Sequence, residues 1–187
     1  AEEYAKRVMS ALNYVGVLSI EFLQKDGQLL ALREHSEKNA HAEILTPLIQ
    51  ELISEAKVHL SDLDAIAVSE GPGSYTGLRI GVSTAKGLCY GGDIPLIAIS
   101  TLQALANSIS SKEDYIKENL LCPMIDARRM EVYSCLFDSE NNQKSEIGAN
   151  IIDEKSYQEQ LNNNKVYFFG NGSEKCKTTI THKNAIF

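Results

Sequence analysis

Apolar residues fall at helical spacing in some stretches of the chain and at strand spacing in others, and the two kinds alternate. Residues 1–13 place Tyr4, Val8, Met9 and Leu12 on one helical face. Residues 15–22 read as a strand, and Lys25-Asp26-Gly27 as the hairpin turn into a second strand over 28–33. A polar loop covers 35–39. Over 41–56 the pairs Ile44/Leu45, Leu48/Ile49 and Leu52/Ile53 recur every four residues, a broad helical stripe. Pro47 sits inside that stripe. It either kinks one long helix or is the first residue of a helix capped by Thr46, and the pattern leaves both open.

Residues 65–69 form a short apolar strand followed by the turn Glu70-Gly71-Pro72-Gly73. Ser74 or Thr76 then caps a helix running to Tyr90, with Gly91-Gly92 as its stop. A strand at 94–99 leads into a helix with capping-box spacing at Ser100 and Gln103. A charged connection spans 110–119. Two strands, 120–125 and 130–137, flank the turn Asp126-Ala127-Arg128-Arg129, and a polar loop follows at 138–146. Residues 157–161 lie in a helix, and a strand at 166–169 ends in Gly170-Asn171-Gly172. Strands alternating with helices predict an α/β fold. A boundary near 107 gives an N-terminal lobe, 1–107, and a second lobe, 108–187. The second is expected to be incomplete, because an apolar segment begins just as the sequence stops.

Composition narrows the classes. The chain has 187 residues, 43% hydrophobic and 23% charged, enough for one ordinary domain or two small lobes. Its net charge is −7, and no run of Lys or Arg makes a basic stripe. A stand-alone nucleic-acid binder is therefore disfavoured, and any such contact is expected to be shared with a basic partner. Cys89, Cys122, Cys135 and Cys176 form no CxxC pair, which excludes metal-knuckle and thioredoxin-like chemistry. No apolar run approaches the roughly 20 residues of a membrane span. With no signal peptide at the start, a cytoplasmic protein with free thiols is expected.

The segment 68–92 carries the most chemistry. Strand, glycine turn and helix in that order aim backbone N–H groups at a helix start, making Gly71, Gly73, Ser74 and Thr76 a candidate nucleotide or anion site. The glycine spacing misses GxGxxG by one residue, and no Gly-Lys-Ser/Thr follows. Gly77, Gly81 and Gly87 lie inside the helix, each costing about 1 kcal/mol relative to alanine. Gly77 and Gly81 stand one turn apart, with Ser74, Ser83, Thr84 and Ala85 keeping their surroundings narrow. Two readings follow: tight packing on the domain's own sheet, or close approach of a partner helix.

Gly71-Pro72-Gly73-Ser74-Tyr75-Thr76-Gly77-Leu78-Arg79-Ile80-Gly81 resembles the signature of the TsaB (YeaZ) family. His41-Ala42-Glu43-Ile44-Leu45 before it, Asp126-Ala127-Arg128-Arg129 with Glu131-Val132-Tyr133 after it, and Gly170-Asn171-Gly172 fall in the family's order, so the resemblance runs from about residue 29 to the end. It implies the actin/Hsp70-like (ribonuclease H-like) ATPase fold. It also implies a non-catalytic subunit that binds and activates the paralogue TsaD, which transfers threonylcarbamoyl to adenosine 37 of tRNA. The ATPase TsaE is a further expected partner, a homodimer is expected when TsaD is absent, and tRNA is reached only through the complex. The expected partner-binding residues are His41, Ile44, Leu45, Leu48, Ile49, Leu52, Gly77, Arg79, Gly81 and Lys86. No tightly bound cofactor is expected, with ATP or ADP at the partner interface left open.

The residues argue the same way about catalysis. The catalytic paralogue has a paired-histidine motif on the helix equivalent to 41–56, where two His at i and i+4 reach one metal. Here His41 stands alone, with Leu45 at i+4, so neither a metal site nor a catalytic residue is assigned. Ser74 and Ser83 lie in no nucleophile pattern, and Cys89 suits a small core position. Asp126, Arg128 and Glu131 flank a turn, either as solvated charges or as a contact to a partner or nucleotide. An enzyme in its own right, a carbamoyltransferase or glycoprotease-like hydrolase, is the alternative, and it lacks a histidine pair or activated nucleophile.

The N-terminus departs from the family. The expected first strand, with an Asp-Thr-Ser-Thr-like phosphate loop, is missing. Residues 5–31 instead resemble part of a PurK-type ATP-grasp ligase of purine synthesis, although Ala31 leads into Leu32-Arg33-Glu34-His35 and only Glu21 matches a metal-binding acid. One carboxylate is too little to hold Mg–ATP, so a remnant of such a ligase is the second alternative.

Overall fold

Apolar residues, alternating through most of β1 and consecutive over Leu29–Leu32, build the first hairpin, in which β1 (Leu18–Leu23) pairs antiparallel with β2 (Leu29–His35), Ile20 opposite Arg33 and Phe22 opposite Ala31. The computed structural model describes residues 18–23, 29–35, 41–110 and 119–187. The expected helix at 1–13, the turn at 25–27 and most of the ATP-grasp-like stretch lie outside the described residues; of the loop expected at 35–39, His35 instead ends β2 and the rest lies outside them.

The apolar stripe of 41–56 is one continuous helix, α1 (His41–Ala56), packed on the hairpin with Leu45 and Leu52 buried. Pro47 lies within it, so the single long helix, not one that begins at Pro47, is the alternative realised. The proline is on the exposed side, where water can satisfy the carbonyl it leaves unpaired.

After a 3-10 turn at Leu60–Asp62, β3 (Ile66–Gly71) pairs parallel with β4 (Leu96–Ser100). Parallel pairing needs a crossover, and α2 (Tyr75–Gly92) supplies it. Ser74 rather than Thr76 caps α2: its hydroxyl accepts the Gly77 N–H at 3.4 Å. The helix runs through Gly91 and Gly92, and Asp93 takes the left-handed stop position at φ 52°.

Two compact units divide between Ser100 and Thr101, whereas the sequence reading drew the line after residue 107. The difference is α3 (Thr101–Ser110). It packs on β5 (Leu120–Asp126) and buries Leu102, Leu105 and Ala106, so it goes with the second unit.

That unit is built on a five-stranded sheet. Its central strand β5 pairs antiparallel with β6 (Glu131–Ser134), which pairs with β7 (Gly148–Ile151). On its other side β5 pairs parallel with β8 (Val166–Phe169), and β8 with β9 (Ala185–Ile186). A short helix, α4 (Gln158–Asn163), buries Leu161 in the core formed by Cys122, Met124, Val132, Val166, Phe168 and Cys176. The strand expected over 130–137 is shorter, because Phe137 pairs separately with Leu121 and Gln143. The α/β class is as read from the sequence.

Candidate functional site: the outer face of the glycine-rich helix

Along α2, Ala85 and Cys89 point inward while Tyr75, Thr76, Arg79, Ser83, Lys86, Gly87 and Tyr90 are exposed. The exposed positions recur three or four residues apart, so they share one continuous face. Tyr90 is 92% exposed and Tyr75 73%, unusual for large rings. The Arg79 guanidinium lies 5.4 Å from the Tyr75 ring centroid and donates to its hydroxyl at 3.2 Å. A methyl placed on Gly87 would meet nothing within 4 Å. The face thus has a low floor at Ser83 and Gly87, with an aromatic ring at each end and two cations along it.

The two glycines singled out from the sequence point elsewhere. A Cβ on Gly81 would lie 3.8 Å from Val68 of β3, and one on Gly77 would lie 3.5 Å from its own cap residue Ser74. Gly81 therefore follows the reading of packing on the domain's own sheet. The glycines of α2 open to an incoming backbone are Gly87 and, in its last turn, Gly91.

Helix α1 corrects the partner list further. Leu45 is 5% exposed and Leu52 0%, so both belong to the unit's own packing and are unavailable to a partner. Ile44, Leu48 and Ile49 are half-buried, while the side chain of His41 is outside the described residues. The outward side of α1 is polar: Glu43, Thr46, Gln50, Glu51, Ser54 and Glu55, with Arg33 of β2 paired to Glu51 at 3.7 Å and to Glu55. The apolar pairs were broad because α1 packs on both the hairpin and α2. Of the expected docking residues, Arg79 and Lys86 lie on the open face of α2.

At the glycine turn, Gly71 is buried at φ +109°, and a Cβ there would come within 3.0 Å of Leu78. The turn is thus packed against α2's own side chain. Ser74 spends its hydroxyl on the Gly77 N–H, which removes one of the donors an anion would use, while Thr76 stays exposed.

In the second unit, β5 ends in Asp126 beside the turn after β8. Asn171 Oδ1 accepts the Asp126 N–H at 3.0 Å, and the Gly172 N–H donates to the Met124 carbonyl at 3.0 Å. A Cβ on Gly172 would sit 2.9 Å from the Asp126 nitrogen, so only glycine allows this approach. The Lys175 ammonium hydrogen-bonds the Asp126 carboxylate and donates to the Glu131 carbonyl at 2.7 Å and that of Arg128 at 3.4 Å. The Lys175 bond holds the Asp126 carboxyl below its ordinary range. All four cysteines are free and buried, and burial pushes the Cys122 thiol up strongly. Among the described residues, no three His, Cys, Asp or Glu gather as a metal would require. No described helix is long and apolar enough to cross a membrane.

The family model for TsaD: tRNA N6-adenosine threonylcarbamoyltransferase matches residues 28–184. The chain belongs to this family. Within it, most of the similar curated proteins are named TsaB. The Bacillus subtilis (strain 168) tRNA threonylcarbamoyladenosine biosynthesis protein TsaB is 36% identical over 124 residues, 66% of this chain and 52% of that protein. The Escherichia coli (strain K12) protein of the same name is 34% identical over 60% of this chain and 45% of its own length. The structure of YeaZ from Pseudomonas aeruginosa superposes with a TM-score of 0.71 at 25% identity, covering 88% of this chain and 76% of that one. The fold is accordingly the actin-like ATPase type expected from the sequence. The chain spans about half the length of the curated relatives it matches.

For this TsaB-type chain, sequence reasoning named Tyr75, Ser83, Gly87 and Tyr90 but did not place them among the docking residues. Their signal was present as the complement of the inward stripe at Ala85 and Cys89, read at helical spacing. Lys175 was overlooked, because nothing local links it to a turn 44–49 residues earlier.

Proposed function

We propose that this chain is a non-catalytic subunit that binds and activates a TsaD-type transferase in the threonylcarbamoylation of adenosine 37 of tRNA. The observation that carries this reading is the open face of α2, with Gly87 uncovered beside Tyr90. Solvated helix faces are ordinarily polar and closed by side chains. One with a bare backbone stretch and a projecting aromatic ring suits a helix that comes close and packs against the ring. The relatives' names supply the pathway. Docking runs through Tyr75, Arg79, Ser83, Lys86, Gly87 and Tyr90, with Ile44, Leu48 and Ile49 acting at most from the margin.

The same face pairs with a second copy when the transferase is absent, since a two-fold contact needs only one patch that complements itself. A TsaE-type ATPase joins the assembly, tRNA is reached through the complex, and any ATP or ADP sits at the partner interface rather than tightly on this chain. The subunit works in the cytoplasm.

Light scattering of the chain mixed with its cognate TsaD-type transferase, alongside a tRNA-modification assay, tests the proposal. A heteromeric complex, with modification that requires both proteins, is expected. Modification by this chain alone, or no complex at micromolar concentrations, would overturn it.

A further inference from the structure

The turn between β5 and β6 has a feature that docking through α2 does not use. Six described non-glycine residues have positive φ, and Arg128 (72°) and Arg129 (47°) are the consecutive pair among them. Glycine and asparagine are the residues that tolerate this backbone, so a sequence that needed only a turn would place them there. Both arginines are exposed, and neither guanidinium makes a direct ion pair or hydrogen bond among the described residues, although the Arg128 charge helps Lys175 hold the Asp126 carboxyl down. This occurs in a chain with 25 acidic residues against 18 basic ones.

The tip is also fixed in place. Asp126 Oδ1 accepts the Arg128 N–H at 3.0 Å, and Glu131 donates its N–H to the Arg128 carbonyl at 3.1 Å. Lys175 joins the Asp126 carboxylate to the carbonyls of Arg128 and Glu131. The nearby Asp126 charge is thereby neutralised, which leaves the two guanidiniums as the outward charge of the tip, with the Glu131 carboxylate at the start of β6.

We propose that Arg128 and Arg129 form a phosphate-backbone contact through which this chain touches the RNA inside the complex, with Lys175 as the residue that positions them. Guanidinium forks match phosphate oxygens, and a rigid pair on a convex tip suits a polyanion passing over it. RNA is favoured over a free nucleotide because the exposed tip offers no enclosure for a base. The inference rests on the tRNA pathway proposed above.

The test uses Arg128→Gly/Arg129→Gly, which removes both cations while easing the left-handed backbone, so folding is preserved. The complex with the transferase is titrated with unmodified tRNA at several salt concentrations. Two lost phosphate contacts should lower the slope of log affinity against log salt by about 1.4–1.8 and weaken binding alike for different tRNA sequences. Arg128→Lys/Arg129→Lys should keep most of the slope. Lys175→Met should lower it with both arginines still present, and this readout separates positioning from mere stability. Transferase affinity, measured separately, should not change. Unchanged tRNA affinity and slope in the glycine variant would overturn the inference. So would loss of transferase binding, which makes the tip a protein contact, or saturable binding of ATP or inorganic phosphate by the free chain that the variant abolishes.

Discussion

Replacing Gly87 with alanine separates the stability of the free chain from its docking. Glycine in a helix interior is about 0.8–1.0 kcal/mol worse than alanine, because the unfolded chain has more freedom to lose. At Gly87 nothing lies within 4 Å of the new methyl, so no clash subtracts from that gain. The free chain should therefore gain close to 1 kcal/mol, or about 2–4 °C in melting temperature for a chain of this size. Gly81→Ala should gain at least as much, since its methyl enters ordinary van der Waals contact with Val68 at 3.8 Å without a clash. Gly81→Leu should lose about 1–3 kcal/mol by overpacking β3. Urea unfolding followed by circular dichroism, at concentrations where light scattering shows monomer, gives these differences, with m values unchanged. The Gly87 methyl that stabilises the free chain should also hold a partner helix away and weaken docking. A monomer destabilised by Gly87→Ala would refute the reasoning, because that side of the helix would then be covered rather than open.

Other consequences concern the second unit. Gly170→Ala puts a methyl 2.4 Å from the Met124 carbonyl at a φ of +98°, so it should cost more than about 3 kcal/mol and lower the unfolding midpoint by calorimetry. Partial burial pushes the Asp138 carboxyl up, but hydrogen bonds from Asn142, Lys144 and Glu140 outweigh it and hold it at about 2. A carboxyl depressed on folding stabilises fully above its unfolded value near 3.9, and the contribution is lost as pH falls toward 2. Asp138→Asn should thus cost roughly 1–2 kcal/mol at pH 7, after discounting for solvent screening, with the difference vanishing between about pH 4 and 2 in acid titrations of stability. The four buried thiols should react with a disulfide reagent at the rate of structural opening, and at the rate of free thiols only in denaturant.

How much was legible depended on whether a signal was local. The stripe at Leu45 and Leu52, the strand–turn–helix of 66–92 and the strand at 166–169 are local patterns, and each became the element expected. What a stripe packs against is not local. The paired apolar positions of α1 read as too broad for one core, yet they serve two neighbours of the same unit. Gly81 and Gly87 look alike in sequence and differ only because one faces Val68 and the other faces water. Strand β7, Gly-Ala-Asn-Ile, has no apolar alternation and exists because Val132 and Tyr133 offer it backbone partners. The Asp126 clamp depends on Lys175 and Asn171, side chains brought there by the sheet.

The central claim is that the outer face of α2 docks the TsaD-type transferase, and Tyr90→Glu tests it most directly. Tyr90 is 92% exposed, so the substitution should leave the melting temperature of the free chain within about 1 °C. Exposed aromatic anchors often contribute 2 kcal/mol or more to an interface, and a charge there adds desolvation cost. Calorimetric titration into the cognate transferase should therefore show affinity falling by more than about tenfold, which corresponds to about 1.4 kcal/mol. Wild-type affinity from a folded Tyr90→Glu chain would contradict the account and place the docking surface elsewhere.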